Sequence, residues 1–129
     1  MSTYFNIISA PWTTVTSTLL VGTNLGSVAT ISGEIPGIVP STATRILVYS
    51  YSYCGHTGSN DIISHLRYYV VDGDTTYEKY LLMNGNVWHV DTNSDNMWFP
   101  MPSNRMFYIE VPTAIHDTCY TGVNVIGYI

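Results

Sequence analysis

The chain has 129 residues and a mass of 14.4 kDa, enough for a single compact domain spanning residues 1–129. Four Lys and Arg stand against nine Asp and Glu, a net charge of -5, so the basic footprint that neutralises phosphates is missing and nucleic acid and anionic membrane are poor partners. No apolar run approaches the roughly 18 residues of a membrane-spanning helix, so no membrane insertion is expected.

Val, Ile and Thr supply 40 residues, whereas Ala, Leu, Glu, Lys, Gln, Arg and Met together supply 23, which is the alphabet of strands. Charged residues make up only 10%, and 28 Ser and Thr with nine Asn fill the polar deficit. The surface is therefore polar without being ionic.

In chain order, Met1 to Asn6 carry neither the basic region nor the apolar core of a secretory signal, so the expectation is a leaderless or processed chain, secreted or cytoplasmic. Period-two alternation then predicts strands at Trp12 to Val21, Val28 to Ile35, Arg45 to Cys54, Ile62 to Val71 and Thr76 to Met83. A short pair follows at Trp88 to Asp91 and Met97 to Phe99, then Met106 to Val111 and Val123 to Ile129. Nine strands and no helical period predict an all-β fold, an antiparallel β-sandwich or jelly roll. Asp72-Gly73 and Asn84-Gly85 carry hairpin-turn chemistry, which predicts a meander of the fourth, fifth and sixth strands.

Within Arg45 to Cys54, alternation puts Leu47, Tyr49, Tyr51 and Tyr53 on one face and Ile46, Val48, Ser50 and Ser52 on the other. A tyrosine row either packs a sheet or forms a subunit interface, where aromatics are enriched and Lys is depleted; a homo-oligomer, at its simplest a homodimer, is the expectation. Cys54 and Cys119 are expected as two buried thiols, the alternative being closure of one long loop.

Catalytic signatures are missing. There is no G-x-S-x-G elbow, no P-loop and no G-x-G-x-x-G, and His56, His65, His89 and His116 lack zinc-site spacing, so no enzymatic activity is expected. The densest polar stretch runs from Trp88 to Pro100 and on to Asn104-Arg105. Asp91-x-Asn93-x-Asp95 opens like an EF-hand, but Asn96 and Pro102 stand where Gly and Glu are required. A calcium site of another kind on Asp91, Asn93 and Asp95 stays open beside the plainer expectation of a tight loop built on Asx turns.

Saccharide recognition needs a flat apolar surface for the pyranose C–H face and short polar groups for its hydroxyls. Trp88 or Trp98 would supply the platform, Asp95 and Asn96 an acceptor and a donor, and His89 and Arg105 flanking donors. A second small polar loop, Cys54 to Asp61, would complete one pocket if it shared the same end of the sandwich.

Three segments carry a resemblance: Ile38 to Tyr49, Asn93-Ser94-Asp95-Asn96-Met97-Trp98-Phe99-Pro100-Met101, and Val125-Ile126-Gly127-Tyr128. Over residues 34 to 129 the chain resembles small β-sandwich lectins of marine invertebrates, the galactose-binding lectins of feather stars, sea anemones and bivalves. The resemblance implies a non-enzymatic oligomer that binds glycans ending in galactose or N-acetylgalactosamine and acts in innate immunity or agglutination of cells. It leaves calcium dependence open.

Overall fold

The computed structural model describes residues 12–55, 62–85 and 90–129. It is all-β: eight strands form two antiparallel four-stranded sheets packed face to face. These are β1 (Thr13–Gly22), β2 (Ala29–Glu34), β3 (Arg45–Cys54), β4 (Ile62–Asp72), β5 (Thr75–Gly85), β6 (Asp91–Pro100), β7 (Met106–Val111) and β8 (Tyr120–Tyr128). Sheet A has the order β1-β8-β3-β6 and sheet B the order β2-β7-β4-β5. Only β4 and β5 follow each other in one sheet; every other connection changes sheet, which is the winding of a jelly roll.

Eight strands stand where nine were expected, because the short pair Trp88 to Asp91 and Met97 to Phe99 is replaced by one strand, Asp91–Pro100, with residues 86–89 outside the described part. The expected meander also fails. Asp72 pairs with Thr75 to close the β4–β5 hairpin, and Gly73 alone takes positive φ at 61°, as the first central residue of a type II′ turn does. Asn84-Gly85, by contrast, belongs to β5, which pairs with β4 up to Gly85, and β6 lies in the opposite sheet.

Alternation decides what each sheet buries. From sheet A, Ile46, Val48, Met97, Phe99, Val123 and Val125 point inward; from sheet B, Leu66, Tyr68, Val70, Phe107, Ile109 and Val111 meet them. Phe99 and Phe107 cross the interface edge to face, 5.1 Å between centroids at 88°, a geometry that adds about 0.5–1.5 kcal/mol to their burial.

One polar relay also crosses. The Thr121 hydroxyl donates to the Tyr51 carbonyl at 2.7 Å, which uses its single proton, so the buried Tyr68 hydroxyl donates to Thr121 Oγ1 at 2.6 Å. The relay joins β4 of sheet B to β8 and β3 of sheet A.

Cys54 and Cys119, expected as free thiols, form a disulfide with 4.1 Å between Cα atoms. The sheet dictates the pairing: Tyr53 lies opposite Tyr120, so the next residue outward on β3 and the one preceding Tyr120 on β8 fall side by side, a neighbourhood that sequence separation of 65 conceals. A covalent tie across so long a loop restricts the unfolded chain strongly.

Two outcomes follow. Cys54→Ser with Cys119→Ser, or reduction of the wild type, is expected to lower the unfolding free energy by about 2–5 kcal/mol in urea titrations. Burial pushes the Tyr68 phenol above its ordinary value. The unfolded chain therefore loses this proton first, and stability present below about pH 10 falls as pH rises further. Tyr68→Phe is expected to cost about 1 kcal/mol at neutral pH and to make that alkaline fall shallower, both read from pH-dependent denaturation.

Candidate functional site on sheet A

β3 lies inside sheet A, paired along its length with β6 on one side and β8 on the other. Its inward residues go to the core, so Tyr49, Tyr51 and Tyr53 rise together from the outer face. Register brings Thr92 beside Tyr53, Ser94 beside Tyr51 and Asn96 beside Tyr49 from β6. From β8 it brings Tyr120 beside Tyr53, Gly122 beside Tyr51 and Asn124 beside Tyr49.

Gly122 creates a seat. A Cβ there would collide with the Tyr51 ring and hydroxyl, so the missing side chain is what lets Tyr51 lie down over β8. Tyr53 and Tyr120 stack at 4.8 Å and 19°, Tyr51 meets Tyr120 edge to face at 6.4 Å, and Tyr49 stacks on Tyr51 at 6.0 Å. Around these four rings opens a cleft of about 430 Å³, edged by Thr92 and Ser94; Ser52 and Asn93 also line it, but their side chains have inward parity.

The cleft is aromatic and hydroxyl-rich, and no carboxylate, cation or histidine is among its lining residues. Its groups offer ring faces and neutral donors and acceptors. That chemistry suits an uncharged polyhydroxylated ligand.

Of the residues expected to gather around a saccharide, the four that are described, Asp95, Asn96, Trp98 and Arg105, do not converge on one place. Trp88 and His89 lie outside the described residues, as does the 56–61 part of the second expected loop. Asn96 and Trp98 do project from the outer face of sheet A, Asn96 next to Tyr49 and Trp98 four residues along the sheet from the level of Tyr51. Trp98 is half-buried, with Trp12 edge-on at 5.7 Å and the Arg45 guanidinium 5.0 Å above its ring. Asp95 has the opposite parity and accepts a hydrogen bond from the Asn96 backbone N–H at 2.9 Å.

Arg105 sits at the other end of the sandwich from the tyrosine cleft, in the turn between β6 and β7. Its Nη2 donates to the carbonyls of Ile35, Pro36 and Val39 at 3.0, 3.0 and 2.9 Å, and its own carbonyl accepts from the Ile35 N–H at 2.8 Å. These bonds staple the β2–β3 connection to the core. The positive φ of 57° at Arg105 belongs to that tight turn.

Asp91, Asn93 and Asp95 form no loop and no Asx-turn pair, because β6 is extended throughout. Four residues of strand separate the Cα atoms of Asp91 and Asp95 by about 13 Å, too far for both to approach one calcium ion. Asn93 instead spends its amide on the Leu82 carbonyl of sheet B at 2.9 Å. Among the described residues no group of three His, Cys, Asp or Glu is placed to hold a metal ion.

Tyr120, Gly122 and Trp12 were not singled out in the sequence. The Tyr-x-Tyr-x-Tyr spacing was the visible signal; the glycine that seats the central ring sits 71 residues away on another strand. No protein-family model and no curated protein matches the chain.

Arg105→Ala is expected to lower stability by about 2–3 kcal/mol, since it takes a charged donor from three carbonyls, of which that of Pro36 keeps the Val39 N–H, and to leave the tyrosine cleft unchanged. Thermal denaturation alongside a binding isotherm separates the two effects.

Proposed function

We propose that this protein is a non-enzymatic glycan-binding module of lectin type that accepts a neutral saccharide in the tyrosine cleft of sheet A. The observation that carries this reading is the cleft itself: four tyrosine rings, one of them bedded on Gly122, bordered by Thr92 and Ser94 and by no ionic group. Galactose or N-acetylgalactosamine at the end of a glycan is the ligand class implied by the resemblance over residues 34 to 129, and a homo-oligomer would turn weak single contacts into avidity on a cell surface. The buried Cys54–Cys119 disulfide supports action outside a reducing cytosol, as secreted innate-recognition proteins require.

A second reading is favoured by a different observation. The outer face of sheet B carries Glu34, Arg67, Glu78 and Glu110, with Arg67 paired to both Glu78 and Glu110. Among the described residues the outer face of sheet A carries a single charged side chain, Arg45. A face rich in aromatics and poor in charge has the composition of an interface, so the protein would be a self-associating adhesive or matrix module packed through sheet A.

Isothermal titration with galactose and N-acetylgalactosamine, with erythrocyte agglutination and sugar competition, tests the first reading. Tyr51→Ala and Gly122→Ala are each expected to weaken binding roughly tenfold, the equivalent of about 1.4 kcal/mol of lost ring contact, with folding retained. Concentration-dependent assembly in sedimentation runs that no sugar perturbs, together with flat titrations, would replace it by the second.

A further inference from the structure

We infer that the ligand of sheet A is an extended neutral oligosaccharide laid along β3, and not a single terminal sugar; this rests on reading the tyrosine cleft as the glycan site. The aromatic surface does not end at the cleft. From Tyr53 and Tyr120 it continues through Tyr51 and Tyr49, and beyond them to Trp98 and Trp12. Six residues of β3 separate Tyr53 from Leu47, the partner of Trp98, so the two ends of the track are about 20 Å apart, more than one pyranose ring can bridge.

The middle of the track suits a sugar chain. Asn96 and Asn124 flank Tyr49 in register from either side, two neutral amides that can each donate and accept from one ring's hydroxyls. At the far end Trp12 is 42% exposed, and it closes over Gly127, whose absent Cβ would sit 3.0 Å from the indole. Arg45, held on the Trp98 ring, adds donors there but no carboxylate faces it across the outer surface of the sheet. One cation along the whole path, on a chain of net charge -5, disfavours an anionic polysaccharide.

The test is a titration of galactose against linear neutral galacto-oligosaccharides of increasing length, on wild type, Trp12→Ala and Tyr51→Ala, with assembly mass measured on the same samples. Wild-type affinity is expected to rise about tenfold with length. Trp12→Ala should lose that gain and keep the affinity for galactose itself; Tyr51→Ala should lose both. Galactose binding with no gain from length overturns the extended ligand and leaves the proposed function standing, and this arm needs no variant to fold. Binding of no saccharide overturns both. A Trp12→Ala chain that changes assembly mass with its length gain intact assigns the indole end to a second copy and overturns the inference.

Discussion

The period of two along β3 is the constraint on which the rest of the molecule hangs. Paired on both sides along its length, β3 must send Ile46, Val48, Ser50, Ser52 and Cys54 into the sandwich and Leu47, Tyr49, Tyr51 and Tyr53 away from it. A slip of one residue would thrust three phenols into the core and expose Ile46 and Val48. Three devices hold the register. The disulfide ties the end of β3 to the start of β8, the Thr121 hydroxyl takes the Tyr51 carbonyl, and the Thr44 and Arg45 N–H groups meet the Ile129 carbonyl at 2.7 and 3.3 Å. The surface chemistry of sheet A is thus a consequence of how its core is fixed.

Sheet A also shows how burial and surface are coupled through a single glycine. Tyr68, deep between the sheets, donates to Thr121, and Thr121 holds the backbone of Tyr51; one residue further along β8, Gly122 leaves room for the Tyr51 ring on the outer side. Core and cleft are therefore set by adjacent residues of β8 pointing in opposite directions. Change in either is felt at the same ring.

Those parts of the molecule that alternate cleanly were legible in the sequence. Arg45–Cys54 and Met106–Val111 have the expected bounds, and the tyrosine face was visible because Tyr-x-Tyr-x-Tyr admits only one parity in a strand. β6 was not legible, for a physical reason: it is an edge strand whose first half overhangs the core, so Asp91, Asn93 and Asp95 occupy inward parity while remaining partly in water. Short polar residues there look like turn formers, and only Met97 and Phe99 betray the strand. The misplaced Arg105 has a different cause. A lone arginine near aromatics resembles a donor for ligand, whereas three carbonyls brought together from the β2–β3 connection, some 66 to 70 residues away, already occupy it. Long-range pairing of this kind, like the disulfide, leaves no local trace.

The contrast between the two outer faces is the last step. An acidic chain resists close approach by its own copies wherever carboxylates face outward, and Glu34, Glu78 and Glu110 make sheet B such a surface, with Arg67 absorbing only part of their charge. Sheet A has no carboxylate on its outer face among the described residues, and its tyrosine rings, stacked on one another, are bordered along β6 by Thr92, Ser94 and Asn96. A protein interface rewards continuous apolar contact, while a saccharide rewards ring faces interrupted by neutral hydroxyls and amides. The row of Thr92, Ser94 and Asn96 beside Tyr53, Tyr51 and Tyr49 follows the second pattern more closely than the first. That neutral polar border, and not the count of tyrosines, is the reason a glycan is proposed for sheet A ahead of a second copy of the chain.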